Sequence, residues 1–411
     1  MSECIRYEGT RRRTHLRHDA SGRRAGTGLQ HDGVGKVRMA EQLEALGADI
    51  IEAGFPISSD GDFEAVRAVA STLTRSTVAG LARAVRGDIE RAWEALSGAR
   101  HARIHVFLAT SDLHLEHKLR IDRATCLART RESVRLARER TPDVEFSAED
   151  ATRSDLDFLC DVAEAAVEAG ATTINLPDTV GYALPSDITR MFGAVRQRVG
   201  EGVTLSAHCH DDLGMAVANS IAAVEAGARQ VECTINGIGE RAGNAALEEF
   251  VMALHVRRER LPYTTSIVTN RLVPTSQVLS SIVGIGVAPN KAIVGANAFA
   301  HESGIHQDGM LKNQLTYEIM RPESVGASGT RLVLGKHSGM RGLDARCREL
   351  GHRLGEAELE RVYRRVTALA DRSKTVNDEQ LAEIVTEETA TLASVGPRRV
   401  AAAPGQGAAW R

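Results

Sequence analysis

From residue 36 onward the chain alternates two hydrophobic patterns. Lys36 to Leu46 spaces its apolar side chains as one face of a helix, and Asp49 to Gly54 (DIIEAG) then compresses into a short apolar run that reads as a strand. The pairing repeats. Strand-like runs recur at Thr77 to Leu81, Ala102 to Leu108, Asp143 to Ser147, Thr172 to Leu176, Val203 to His208 and Gln230 to Ile235, with helical patterns between them. Seven such units, plus a first strand expected in the less readable text before residue 36, predict an eightfold parallel α/β repeat. A (β/α)8 TIM barrel and an open doubly wound sheet both fit that alternation. No GxGxxG turn follows any of these strands, which weighs against the dinucleotide-binding form of the open sheet.

The polar residues favour the barrel. His105, Glu149, Asp150, Asp178, Thr179, His208, His210 and Asn236 fall within or just past the carboxyl ends of predicted strands. In a barrel those ends share one mouth, where catalytic groups collect. The densest stretch is Val203 to Gly214, VTLSAHCHDDLG. Two residues apart on a strand, His208 and His210 project from one face while Cys209 faces the other. Two imidazoles at a strand end, followed by Asp211 and Asp212, suit a divalent cation with positions open to substrate. The plainer reading of the same spacing is two solvated loop histidines. Further on, NGIGERAGN (Asn236 to Asn244) offers glycines for tight turns, and Asn244 is placed to cap a helix expected over Asn244 to Val256.

After that helix the periodicity breaks at Pro262, Pro274 and Pro289, and glycine-rich text carries FAHESGIHQDG. Helical patterns return at Glu356 to Leu369 and Asp378 to Glu387. The expected organisation is an N-terminal segment over 1–35, a barrel over 36–260, a smaller, mostly helical linker and dimerisation region over 261–390, and a low-complexity tail over 391–411. The first segment crowds Arg11, Arg12, Arg13, Arg17, Arg23 and Arg24 into text with little apolar periodicity, and reads as a basic arm or a transit-like peptide.

Composition removes whole classes of function. Hydrophobic residues at 43% and charged residues at 26% describe a soluble globular chain, and aromatics at 4% argue against a stacking surface for nucleic acid. A formal charge of -3 implies no strongly charged partner. No apolar run reaches the roughly 18 residues of a membrane span, and the amino terminus lacks the apolar core of a secretory signal. Six scattered cysteines fit reduced thiols in a cytoplasm.

LSAHCHDDLGMAVA followed by NGIGERAGN resembles a signature of the alpha-isopropylmalate and homocitrate synthase family. The resemblance runs from about Lys36 to about Val385 and takes in EAGFP at Glu52, IHVFLATSD at Ile104, EFSAEDATR at Glu145, INLPDTVGY at Ile174 and GIHQDG at Gly304. It implies a Claisen-type condensation of acetyl-CoA with 3-methyl-2-oxobutanoate, a step of leucine biosynthesis, by a cytoplasmic homodimer. By matching motifs it implies that His208, His210 and Asn244 bind a divalent metal, Mg²⁺ or Mn²⁺ with Zn²⁺ as an alternative. It also implies that Glu149 and His306 are the candidate bases, and that Thr179 and His105 hold the 2-oxo acid. His301, His114 and His117 read as structural. The region after the barrel is expected to reach over the partner's mouth, so that His306 serves the neighbouring subunit. Homocitrate synthesis from 2-oxoglutarate is the alternative activity, and a metal-binding pseudoenzyme the alternative of another class.

Two departures from the family's pattern stand out. The first strand should end near Asp-Thr-Thr-Leu-Arg-Asp-Gly-Glu, supplying a carboxylate ligand and an arginine. Here the text is GTRRRTHLRHDASGRRAG, in which only Leu16, Arg17 and Asp19 match faintly. A shifted reading frame over about Glu8 to Arg24 would account for it; if the text is native, metal affinity and turnover should fall. The second departure is that the chain stops soon after Val385, where the family's leucine-sensing domain would follow, so leucine inhibition is not expected.

Overall fold

The computed structural model describes residues 33–332, 334–335, 338–373 and 375–394, together with the backbone of 12–13 and 15–19. Eight parallel strands close into a barrel in chain order. They are β1 (His15–Asp19), β2 (Ile50–Gly54), β3 (Thr77–Arg83), β4 (Ala102–Ala109), β5 (Val144–Glu149), β6 (Thr173–Asp178), β7 (Thr204–Cys209) and β8 (Gln230–Cys233). The expected TIM barrel is present. Helices follow as α1 (Gly33–Leu46), α2 (Asp60–Thr72), α3 (Arg86–Leu96), α4 (Arg123–Arg138), α5 (Leu156–Glu168), α6 (Pro185–Val199), α7 (Ala216–Glu225) and α8 (Leu247–Val256). Local chemistry starts several of them: Ser59, Asp122 and Asp155 accept the backbone N–H three residues on, and α6 begins on Pro185.

The register shows which faces are buried against what. Ile51, Ile104, Val106, Phe146, Ile174, Leu205 and Val231 alternate with polar residues along their strands and are fully buried. They form the wall against which Leu43, Ile89, Leu159, Phe192 and Phe250 of the helices pack, and each such large side chain contributes about 2 kcal/mol by leaving water. The apolar core is therefore a ring between sheet and helices.

The barrel's inner face is polar. Arg103 on β4 donates to Asp143 at 2.8 Å, to Glu145 at 3.0 Å and to Gln230 at 2.7 Å; Gln230 in turn donates to Glu145 and to Ser206, each at 2.9 Å. Burial works against the Arg103 charge, and the Glu145 and Asp143 carboxylates more than offset it. One layer nearer the mouth, Asn175 donates to Ser147 at 2.7 Å. Strand readings based on apolar content alone gave no hint of this interior.

Several boundaries differ from expectation. β5 and β6 each run to an acid, Glu149 and Asp178, that the sequence places in loops. β8 stops at Cys233, because the chain turns through a short 3-10 stretch with Asn236 at φ 62. Asn244 does not cap a helix: bridges of His210 to Asn244 and of Thr234 to Ala246 keep this segment extended, and α8 begins only at Leu247.

By its internal contacts the chain divides into two units. The first runs to Ala298 and includes Glu323–Ala327; it also holds α9 (Leu272–Val283). The second comprises Phe299–Pro322 and the chain from Ser328. It contains α10 (Gly304–Lys312), α11 (Met340–Glu349), α12 (Glu356–Ser373) and α13 (Asp378–Ser394). Leu343, Cys347, Val362, Val366, Leu381 and Ile384 form its core. Among the described residues no helix is long and apolar enough to cross a membrane, and all five described cysteines are free.

Candidate active site at the barrel mouth

His208 is the fifth residue of β7, and His210 follows just past the strand's end. Period-two geometry brings their rings together: the two Nε2 atoms are 3.2 Å apart and the ring planes cross at 82°. Backbone bonds then bring in the loop after β8. Ala245 N donates to Cys209 O and Asp211 N to Gly243 O, each at 3.0 Å, which sets Asn244 beside His210. Asn244 donates through Nδ2 to Ile238 O at 3.0 Å, leaving Oδ1 buried with no hydrogen-bond partner; His210 Nδ1 is buried in the same condition. Gly239 makes the approach possible, since a Cβ there would stand 2.2 Å from Asn244 Nδ2.

Burial, and then the neighbouring His208, push His210 down to about 3, so its ring is neutral. Two imidazoles and an amide oxygen with unfilled lone pairs are the donor chemistry of a divalent cation, and the residues present fit one. Asp211 and Asp212 are committed elsewhere. Asp211 accepts from Ala216 N at 2.9 Å, while Asp212 takes a bidentate pair from Arg241 at 2.8 Å.

Arg241 also donates to Thr179 O at 2.8 Å, joining the loops after β6, β7 and β8. Thr179 Oγ1 accepts from Asp150 N at 2.9 Å, which leaves its hydroxyl hydrogen to donate. Asp150 is fully buried at φ 65, held by Ser111 at 2.5 Å and Arg153 at 2.8 Å. Glu149, the last residue of β5, is partly exposed at the mouth. Lys118 Nζ lies 2.5 Å from its Oε1, and His114 Nδ1 lies 3.7 Å from the same oxygen.

His105 is the fourth residue of β4, which runs on to Ala109, so it lies within the strand below the mouth. Its Nδ1 is 2.7 Å from Glu52 and its Nε2 2.6 Å from Ser147. His105, Glu145 and Glu232 bring ligand atoms within 4.8 Å of one another. That cluster is already a filled network, with Arg103 on Glu145 and both nitrogens of His105 engaged, so the His208, His210 and Asn244 set is the better cation site. Glu232 Oε2 sits 3.3 Å from His208 Nδ1.

In the second unit, His306 on α10 has its ring centroid 4.2 Å from that of Tyr317. His301 Nε2 is 3.6 Å from Glu318, and Asp308 is paired with Lys312 and Arg341. Asp19 pairs in register with Glu52 at the end of β1; the side chains of the first strand, and the frame question over Glu8 to Arg24, lie outside the described residues. Sequence reasoning missed Lys118, Glu232 and Tyr317 and set His114 aside as structural. The one available signal was the HLEHKL stretch next to a predicted strand end.

Comparison with known proteins finds close relatives along most of the chain. A family model described as HMGL-like matches residues 28–279, and one described as homocitrate synthase post-HMGL domain-like matches residues 293–374. The 2-isopropylmalate synthase of Carboxydothermus hydrogenoformans is 55% identical over 363 residues, covering 88% of this chain and 71% of that one. That of Nitrosococcus oceani is 54% identical over 366 residues, covering 88% and 71%. Among solved structures, hydroxymethylglutaryl-CoA lyase from Pseudomonas aeruginosa aligns with a TM-score of 0.58 at 22% identity, covering 67% of this chain and 94% of that one, a likeness of fold.

Proposed function

The chain belongs to the 2-isopropylmalate synthase family, and from that premise we propose that its barrel mouth condenses acetyl-CoA with 3-methyl-2-oxobutanoate, releasing CoA. The observation that carries the reading is the convergence of His208, His210 and Asn244 in a mouth that Glu149 and Thr179 also line. His208, His210 and Asn244 would hold the cation, for which Mg²⁺ or Mn²⁺ is proposed and Zn²⁺ is the alternative. Bound there, it supplies Lewis-acid polarisation of the 2-oxo acid's carbonyl.

The protein's own groups do the rest. Thr179 has a hydroxyl hydrogen to give to the 2-oxo acid's carboxylate, and its position is set by Asp150 N and Arg241. His105, anchored by Glu52 and Ser147, closes the floor beneath that substrate. Glu149 takes a proton from the acetyl methyl group, the role that a carboxylate at the mouth can fill. His306, against Tyr317, is the second proton-transfer group and is proposed to serve the mouth of the partner in a homodimer. Mixing His306→Ala with Glu149→Ala subunits tests that arrangement: hybrids regain activity if the site is shared, and stay inactive if each chain completes its own.

The activity itself is tested by following CoA release with a panel of 2-oxo acids under Mg²⁺ or Mn²⁺. Release with 3-methyl-2-oxobutanoate is expected. Preference for 2-oxoglutarate would make the enzyme a homocitrate synthase.

A further inference from the structure

A base that takes a proton from the methyl group of a thioester creates negative charge on the neighbouring carbonyl oxygen. The enolate forms at a useful rate only where a cation or hydrogen-bond donor already waits for that charge. The donor set on β7 is matched to the other substrate, the 2-oxo acid. Around Glu149, however, two nitrogens serve neither the 2-oxo acid nor the cation.

Lys118 Nζ lies 2.5 Å from Glu149 Oε1, and the lysine is half-exposed. His114 Nδ1 lies 3.7 Å from the same oxygen and is buried with no hydrogen-bond partner, while its Nε2 is 3.9 Å from Asp150. Both come from the connection between β4 and α4. There a short turn over Asp112–His114, begun by Ser111 Oγ accepting from His114 N, continues as a π-helical turn over Leu115–Leu119 and ends on Arg120 at φ 53. Turns of this kind are rare and gather at functional sites. The connection brings a carboxylate, an ammonium and a buried ring nitrogen to one point.

We infer that Lys118 and His114 form the oxyanion site that holds the enolate of the acetyl thioester. The inference rests on the reading of Glu149 as the base. Glu149 takes the methyl proton, the C–H electron pair becomes a C=C bond, and the carbonyl π pair moves to the thioester oxygen. There it meets the Lys118 ammonium and His114 in the tautomer with hydrogen on Nδ1. The oxygen then returns its pair to re-form C=O, and the C=C pair bonds to the keto carbon of the 2-oxo acid. The keto π pair goes to the keto oxygen, which takes the proton back from Glu149. Water then cleaves the thioester. Throughout enolate formation the negative charge moves between two places that Lys118 reaches, so the ion pair with Glu149 is exchanged for an equivalent one instead of being lost.

The test compares Lys118→Met, Lys118→Arg, His114→Ala and Glu149→Gln in the full chain with Mg²⁺, using acetyl-CoA and its trideuteroacetyl form. Loss of an oxyanion donor should lower kcat in Lys118→Met by about 10²- to 10³-fold. The KM for the 2-oxo acid should hold, and the deuterium isotope effect should rise as proton removal becomes limiting. Lys118→Arg should recover part of the rate, and His114→Ala should move in the same direction as Lys118→Met. The inference is overturned if Lys118→Met loses less than about threefold in kcat, well short of a donor's worth, or if its loss is confined to the KM for acetyl-CoA with the isotope effect unchanged. Should Glu149→Gln itself keep its turnover and isotope effect, the base assignment fails and takes the oxyanion site with it. Loss in Glu149→Gln with full activity in Lys118→Met overturns the oxyanion site alone.

Discussion

His208 Nε2 faces His210 Nε2 across 3.2 Å at the end of β7. At most one hydrogen can bridge two ring nitrogens at this distance, whereas a cation can take the lone pairs of both, and Asn244 Oδ1 is a third buried acceptor left over. The parent protein should therefore be stabilised by Mn²⁺, by about 2.7 kcal/mol at a concentration one hundred times its Kd. Asn244→Ala and His210→Ala should each weaken the affinity at least tenfold, read as the Mn²⁺ dependence of Tm and by Mn²⁺ spin resonance. Equal shifts in parent and variants would move the metal elsewhere.

Gly239 bears on the same ligand through packing alone. A Cβ at this position would press on Asn244 Nδ2, so Gly239→Ala should displace the amide that donates to Ile238. Mn²⁺ affinity should fall by about tenfold, as when a group supporting a metal ligand is lost, while Tm without metal changes little. Unchanged affinity would show that the loop relaxes without moving Asn244.

The barrel interior makes a separate prediction about stability. Arg103→Met strips Glu145 of its buried counter-charge, and such a loss costs about 3–5 kcal/mol. Adding Glu145→Gln should return a substantial part, because the buried carboxylate that Arg103 faced is then a neutral amide. Urea unfolding of the two variants and the parent measures this; a double variant no better than the single one would show that Glu145 is neutralised by other partners.

Glu248 gives stability a pH slope. Burial drives its carboxyl up to about 7, only partly opposed by its backbone bonds and Lys291. The folded chain thus holds a proton that the unfolded chain releases above about 4.5. This contribution is full below 4.5, falls as pH rises through the window to about 7, and is flat beyond. Its size is on the order of 3 kcal/mol. Glu248→Gln should flatten that part of the profile between pH 5 and 8 in urea unfolding. A variant with the parent's slope would place the titrating group elsewhere.

Much of the fold was legible because seven strands, β2 to β8, carry dense apolar runs between helical patterns. The His208 and His210 pair was legible because period-two spacing survives to the strand end. What could not be read depends on contacts far apart in the chain. Glu52, Glu145 and Glu232 look like ordinary solvent-facing alternations, yet closure of the barrel turns them inward. Asn244 looked like a helix cap because a local rule cannot see the bridge to His210 that keeps its backbone extended. Lys118 and His114 acquire meaning only when the connection after β4 folds over the end of β5. Tyr317 becomes notable only once it is found against His306.

Condensation at this mouth is tested most directly by CoA release measured with acetyl-CoA, Mg²⁺ and either 3-methyl-2-oxobutanoate or 2-oxoglutarate. Release is expected with 3-methyl-2-oxobutanoate and should disappear in Glu149→Gln. Absence of release with every 2-oxo acid, in a protein that still binds Mn²⁺ through His208 and His210, would contradict it and leave a metal-binding chain without the reaction.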